Sequence, residues 1–295
     1  MKTKLFFLGL CCAAAAVSCN HFDDTNVSRG PLTITLTKDD IATKTLLTEK
    51  TEGGLSRVWS EGDAVSVLYI KDYEVPGGGI NDKFVLTAGA GTTTGTFTCA
   101  SSSIPMTGEA GVRILYPYTE TNTSFDRCEQ SVAVQTGKLS DLPKYDLLFG
   151  EGHFTDGSFA IYSSERIKSR CVFLKIPKET KFFNTSTTVS IKSVTLSGVN
   201  PDFLINQFNT FTNVKQGASI KGNITINTSY ELTNGTLQED IYIALMTKST
   251  DNCKFNLTLK TASDVEYVFP FSRSDYMYTG NLYALKTTTI TPPDL

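Results

Sequence analysis

The stretch "RVWSEGDAVSVLYIKDY" at residues 57–73 holds the chain's one tryptophan, a Gly-Asp pair and a run that alternates apolar and polar residues. Val65, Val67 and Tyr69 share one face of a predicted strand, because successive strand side chains point to opposite faces. The Gly-Asp pair before them is typical of a tight turn. We therefore predict that Trp59 is buried and closes the entrance of this strand. The alternative is that Trp59 stacks on a sugar.

The same period-two alternation recurs through most of the chain from residue 31 onward, and Gly-rich turns separate the runs. Charged residues make up 19% of the sequence, so Thr, Ser, Asn and Gly fill many polar positions. Many short alternating runs with turn signals between them predict an all-β protein of antiparallel sandwiches or barrels. The predicted strands are 32–37, 64–70, 83–88, 95–100, 111–118, 171–177, 189–198, 219–228, 240–247, 254–261, 265–271 and 281–290.

The length of 295 residues is enough for two domains of ordinary size. Polar residues cluster near residue 160, between two strand-rich halves. We therefore predict an N-terminal β-domain at 31–160 and a C-terminal β-domain at 161–295.

The N-terminus carries an export signal. Residues 1–18 begin with lysines, continue with an apolar run too short to cross a bilayer, and end in small residues. The tail "AAVSC" resembles a bacterial lipobox, which implies cleavage between Ser18 and Cys19 and lipidation of Cys19. An ordinary signal peptide with an incidental cysteine is the alternative. Residues 19–30 are polar and aperiodic, which predicts a flexible tether.

Composition argues against several classes of function. The net charge of -3 provides no basic field for nucleic acid. The two histidines, His21 and His153, and the lack of a recognisable catalytic motif predict a protein that is not an enzyme and holds no metal or cofactor.

Four cysteines remain after the predicted signal and lipidation site, and no Cys-x-x-Cys pair is among them. An exported protein could form one or two disulfides from them, but four isolated buried thiols fit the spacing equally well. These residues are Cys99, Cys128, Cys171 and Cys253.

The order of several short motifs behind the lipobox resembles the fimbrillin-like lipoproteins of Bacteroidales, the subunits of type V pili. The motifs are "WSEGDAVSVLY" (59–69), "ILYPY" (114–118), "YDLLFGEG" (145–152) and "YTGNLYALKTT" (278–288). The resemblance implies two tandem transthyretin-like antiparallel β-sandwich domains behind a lipoprotein signal peptide. It also implies a palmitate-bearing protein exposed on the cell outer membrane.

The resemblance further implies assembly by strand exchange. A trypsin-like protease removes the first strand of such subunits, and a C-terminal strand of the next subunit fills the groove. In this chain the removed strand would carry Leu32, Ile34 and Leu36 on one apolar face. Burial of three such side chains stabilises a docked strand by several kcal/mol, at about 25 cal/mol per Å².

The family's cleavage position, just past the first strand, corresponds to Lys44 and Thr45 in this chain. Arg57 is a less favoured position, because it lies directly before the strand that Trp59 opens. The alternative is that Lys44 is an ordinary exposed lysine.

The candidate donor strand lies in "NLYALKTTTI" at 281–290, before prolines that stop strand pairing. Its candidate residues are Leu282, Ala284, Leu285 and Ile290.

The sequence thus predicts a structural subunit of a fimbrium that contributes to cell adhesion. Its partners would be other fimbrial subunits, the outer membrane through the lipid, and a host or microbial surface receptor, but not nucleic acid. Two alternatives stay open. One is a non-polymerising surface lipoprotein that binds glycans or host proteins, and the other is an anchor subunit that keeps its lipid.

Overall fold

The computed structural model confirms an all-β protein. It describes residues 31–38, 48–50, 54–56, 58–70, 79–104, 108–120, 130–161, 166–199, 204–208, 220–247, 253–273 and 277–285. Within these ranges a single 3-10 helix, Leu139–Tyr145, accompanies the strands.

The strands are numbered in chain order, and most of them form two units. Those of the first half are β1 (Leu32–Lys38), β2 (Thr48–Lys50), β3 (Gly54–Ser56), β4 (Ala64–Ile70), β5 (Gly79–Ala88), β6 (Thr94–Cys99), β7 (Glu109–Tyr116), β8 (Gln130–Ser131), β9 (Val134–Gln135), β10 (Leu148–Thr155), β11 (Ser158–Ile161) and β12 (Arg166–Ser169). Those of the second half are β13 (Val172–Ile176), β14 (Val189–Gly198), β15 (Leu204–Phe208), β16 (Ile220–Lys221), β17 (Ile224–Ile226), β18 (Tyr230–Thr233), β19 (Thr236–Leu237), β20 (Ile241–Thr247), β21 (Cys253–Thr261), β22 (Glu266–Arg273) and β23 (Leu282–Ala284). β2 and β3 pair as a separate two-stranded sheet.

The first unit is a closed ring of hydrogen-bonded strands. Its order is β1, β6, β5, β4, β7, β10 and β12, and β12 pairs back onto β1. β7 covers one edge of β10 along its whole length, so β11 and β12 share the other edge. The pair that closes the ring, β12 with β1, is in register over Thr37 and Lys38.

Alternate side chains of these strands fill the interior of the ring with one apolar core. Trp59 lies in this core and makes edge-to-face contacts with Phe97 and Tyr116, at ring-centroid distances of 4.6 and 5.5 Å. The fully or nearly buried members are Leu32, Ile34, Leu36, Trp59, Val65, Val67, Tyr69, Phe84, Phe97, Cys99, Ile104, Ala110, Val112, Ile114, Tyr116, Leu148, Phe154 and Ile167.

The second unit is built from two sheets on a common core. One has the order β16-β15-β20-β13-β23, with β8 also paired to β15. The other has the order β19-β18-β14-β17-β9, with β21 and then β22 on the other side of β14. Most pairings between the described strands are antiparallel, as predicted, but three of them are parallel: β1 with β12, β13 with β23, and β17 with β9.

The two units are not consecutive parts of the chain. β8, β9 and the 3-10 helix precede β10 in sequence, yet they pack in the second unit. Leu68 and Leu115 belong to strands of the ring but are buried in the core of the second unit. The predicted boundary at residue 160 falls within β11, whereas the chain passes from ring to second unit between β12 and β13.

Two of the points at which the chain crosses between the units, before β10 and after β12, lie side by side. The Ser169 hydroxyl donates to Asp146 at 2.7 Å, and the Arg170 amide donates to the Leu147 carbonyl at 2.8 Å. Both Asp146 and Ser169 are buried. This polar contact therefore joins the two units at a position shielded from water. Among the described residues no helix is long and apolar enough to span a membrane.

Candidate strand-docking site

β1 fills a groove in the wall of the ring, between β6 and β12. Its inward side chains Leu32, Ile34 and Leu36 are 2%, 1% and 0% exposed. The antiparallel register with β6 runs from Leu32 to Thr37, and the parallel register with β12 covers Thr37 and Lys38. One edge of the strand is therefore paired along most of its length, the other edge is paired at its C-terminal end, and one face is buried.

The outward face of β1 carries threonines that pair with threonines of β6. The hydroxyls of Thr33 and Thr98 lie 3.2 Å apart, and those of Thr37 and Thr94 lie 3.0 Å apart. Such cross-strand pairs each contribute a fraction of a kcal/mol. They add to the backbone pairing without enlarging the core.

Lys38 ends β1 and is fully buried. Its ammonium donates to the Val58 carbonyl at 3.3 Å and lies 3.5 Å from the ring centroid of Trp59 and 4.9 Å from that of Tyr116. The Trp59 indole N–H in turn donates to the Leu36 carbonyl at 3.3 Å. Trp59 thus contacts β1 twice, through the main chain and through the lysine side chain. We call Lys38, Val58, Trp59 and Tyr116 the lysine box.

The turn predicted from the Gly-Asp pair holds Trp59 in this position. Gly62 has φ +84°, and the Asp63 carboxylate accepts bonds from the Ser60 amide at 2.8 Å and the Tyr116 hydroxyl at 3.0 Å. Gly95 lies against the indole, since a Cβ there would be 2.6 Å from the Trp59 Cδ1. The prediction that Trp59 is buried rather than surface-exposed is confirmed.

The role of Lys38 was not among the predictions from the sequence. The register Leu32, Ile34, Leu36 places Lys38 at the next inward position, where a fourth apolar residue would be expected. A lysine at an inward position was therefore the available signal. Its partner Trp59 could not be identified in advance, because the two residues belong to segments that are not adjacent in the sequence.

The candidate donor strand is held much less firmly than β1. β23 pairs in parallel with β13 over Leu282, Tyr283 and Ala284, and the first two are only half-buried while Ala284 is exposed. The Leu285 amide donates to the Lys175 carbonyl at 2.7 Å. Among the described strands, β23 has β13 as its partner on one edge.

Several predicted site residues lie outside the described residues, so they stay predictions: Ser18, Cys19, Lys44, Thr45, Arg57 and Ile290.

Three of the four remaining cysteines are buried thiols, namely Cys99, Cys171 and Cys253, while Cys128 lies outside the described residues. Cys99 ends β6 directly opposite Leu32 at the start of β1. Burial and the nearby Asp82 raise the pKa of the Cys99 thiol, against the effect of a backbone hydrogen bond. Displacement of β1 would expose this thiol.

His153 lies half-buried on β10, in register with Gly111 of β7. Among the residues that the structure describes, no group of three or more His, Cys, Asp or Glu side chains could hold a metal ion.

Two solved structures are similar to this chain over most of its length. One is a candidate cell adhesion protein from Bacteroides uniformis ATCC 8492, with TM-score 0.47, 17% identity, and coverage of 87% of this chain and 92% of that chain. The other is a candidate adhesin from Bacteroides ovatus ATCC 8483, with TM-score 0.42, 11% identity, and coverage of 98% and 94%. No family model matches the chain, and no curated protein matches it.

Proposed function

We propose that this chain is the lipidated precursor of a non-enzymatic subunit of a cell-surface fimbrium that serves adhesion. Its precursor is lipidated at Cys19, β1 is removed by cleavage between Lys44 and Thr45, and the vacated groove takes a strand from another subunit. The receptor is a host or microbial surface molecule.

The position of β1 carries this proposal. β1 is the first of the described strands, its three apolar side chains are buried in the ring, and residues 39–47 separate it from β2. A cut in that segment would leave β1 attached by non-covalent contacts alone. Its removal would open an apolar groove flanked by the unpaired edges of β6 and β12, which is the kind of site that binds an added strand.

β23 is the proposed donor because little would be lost when it detaches. It has three residues in register with β13, and its side chains are half-buried or exposed. A strand with these properties can leave its own unit at lower cost than β1 can leave the ring, since the stabilisation scales with the apolar area buried.

A second candidate function follows from the hydrogen bonding of β1. Because β12 pairs with β1 and closes the ring, and because Lys38 is buried against Trp59, β1 is integrated into the folded unit. A subunit that keeps this strand would act as a lipid-retaining anchor or as a non-polymerising surface lipoprotein that binds glycans or host proteins.

The test is the intact mass and N-terminal sequence of the protein from native cells, measured separately in sheared surface material and in membranes. We expect a start at Thr45 without lipid in the sheared fraction. The variant Lys44→Gln should block this form, and Arg57→Gln serves as the matched control that leaves it unchanged. A start at acylated Cys19 in every fraction would exclude strand removal and leave the anchor or binding lipoprotein.

A further inference from the structure

We propose that the β1 groove is selective for a strand with a cation at the position of Lys38. Val58, Trp59 and Tyr116 of the lysine box recognise this cation. The biological use of this selectivity rests on the proposed function, but the chemistry rests on the contacts of Lys38 alone.

Lys38, a charged side chain at the end of the groove, is fully buried. A buried ammonium is costly unless hydrogen bonds and ring faces replace its water. Here the Val58 carbonyl accepts from Lys38, and the faces of Trp59 and Tyr116 lie 3.5 and 4.9 Å from the nitrogen. An apolar residue at this position would forfeit these contacts.

The Trp59 indole also fixes the register of the strand. The Trp59 N–H donates to the Leu36 carbonyl at 3.3 Å, and the Lys38 amide donates to the Thr93 carbonyl at 3.0 Å. A slip by one residue would turn Thr37 toward the box and the apolar side chains toward solvent. Any strand offers a carbonyl, so the cation is the feature that distinguishes one occupant from another.

A segment that could occupy the β1 groove is present in the same sequence. In "LYALK" at 282–286, Leu282, Ala284 and Lys286 repeat the two-residue spacing of "ITLTK" at 34–38. The partner proposed here is therefore this segment of a second copy. Residues 267–273 show a similar alternation that ends in arginine, but Pro270 would remove a backbone donor from the ladder.

The experiment uses the full chain with a specific protease site placed within residues 39–47, cut and then mixed with synthetic peptides. The probes are residues 31–38 as they stand, the same peptide with Lys38→Met or Lys38→Arg, and a matched control with Thr35→Met on the exposed face. Binding is read from the fluorescence of Trp59, the single tryptophan of the chain. Modification of the Cys99 thiol, located by mass spectrometry, gives a second readout.

We expect Lys38→Met to weaken binding by about tenfold to thirtyfold, as the loss of a desolvated cation–π contact predicts. Lys38→Arg should bind more tightly than Lys38→Met, because it keeps the positive charge beside the aromatic rings. The Thr35→Met peptide should bind like the unmodified one. Equal binding of the Lys38→Met peptide would overturn the selectivity.

A second pair of peptides, residues 281–290 with and without Lys286→Met, separates this inference from the proposed function. We expect binding that the substitution weakens by about tenfold. If both members bind equally well, strand exchange stands and the selectivity is overturned. If neither binds while the 31–38 series still depends on Lys38, the selectivity stands and the donor named under the proposed function is wrong.

Variants of the uncut chain keep the test decisive where the cut chain does not release β1. Lys38→Met should speed modification of Cys99 by about tenfold, since opening of β1 becomes easier, and Lys38→Arg should restore the slow rate. Equal rates for Lys38→Met and the unmodified chain would contradict the proposal.

Discussion

β1 and β23 are both short strands near an end of the chain, yet the fold holds them very differently. β1 has partners on both edges, a fully buried apolar face and a lysine in an aromatic box. β23 has one described partner strand, a parallel register of three residues and a half-buried face. The two segments show a similar alternation of apolar residues in the sequence, but in the structure β1 makes more contacts than β23.

Strand exchange would therefore require more than a cut beside β1. After cleavage β1 would still be held by the ring, so a protease cut and the departure of the strand are separate events. β23, in contrast, buries less apolar surface, so its departure from its own unit would cost less. A donor that replaces β1 must match its contacts, and the lysine box is the contact that a generic apolar strand does not match.

The largest expected effect comes from Trp59→Ala, which removes the side chain that links β1 to the turn at Gly62. We expect a loss of about 4 kcal/mol in the free energy of unfolding, the usual cost of truncating a large buried aromatic. Urea denaturation measures this loss. Phe154→Ala in the same core is the control, because it should destabilise the ring without selectively speeding modification of Cys99. Equal Cys99 rates in both variants would contradict a specific link between Trp59 and β1.

Gly95→Ala is expected to have the next largest effect. The added methyl would lie 2.6 Å from the Trp59 Cδ1 and 2.7 Å from the Leu86 Cδ1, so the indole must shift. Overpacking of this kind costs about 2 kcal/mol, measurable as a lower urea midpoint with an altered Trp59 emission. Thr96→Ala, on the opposite face of β6, is the control and should leave the emission unchanged.

Leu282→Ala probes the weaker strand and should cost only about 1 kcal/mol, because the side chain is half-buried. Ile34→Ala, its counterpart in the fully buried β1, should cost about 3 kcal/mol. Urea denaturation of the two variants compares the strands directly. Similar losses would show that β23 is held as firmly as β1.

The smallest effect concerns the ion pair on β13, the strand that holds β23. Burial opposes ionisation of Asp240, but the Lys178 amide and the Lys175 ammonium, 3.0 Å away, together hold the pKa of that carboxyl below its usual value. A lowered folded pKa means stability that is present above the unfolded pKa of about 3.9 and is lost as pH falls through the folded pKa.

Asp240→Asn should therefore lower the free energy of unfolding at pH 7 by about 1 kcal/mol. The difference from the unmodified chain should vanish at acid pH, once the native carboxylate is protonated. Urea denaturation from pH 7 to pH 2 follows this difference. The exposed pair of Lys192 and Asp264 supplies the control, since Asp264→Asn should change little at any pH. A constant difference across the range would contradict the assignment.

The sequence alone was enough to predict which faces of the strands are buried. Period-two alternation placed Leu32, Ile34 and Leu36 on one side of β1 and Val65 and Val67 on one side of β4, and the structure places all five in the core of the ring. This succeeded because the side to which a strand residue points depends on its own local backbone.

The same reasoning could not predict which strands become neighbours. The pairing of β1 with β12, the transfer of β8 and β9 to the second unit, and the parallel docking of β23 join segments that are distant in sequence. Each pairing depends on how much surface it buries compared with many other possible pairings. A local sequence pattern does not contain this information.

The all-β fold class, the burial of Trp59 and the apolar face of β1 could thus be predicted from the sequence. They follow from its composition and from the alternation of apolar and polar residues. Only the tertiary structure decided that the ring closes through β12, that Lys38 lies under the Trp59 indole, and that β23 remains at an edge. The physical reason is that burial and hydrogen bonding are settled between distant segments. A lysine at an inward position is therefore stable only after folding has brought the aromatic faces of Trp59 and Tyr116 to its ammonium.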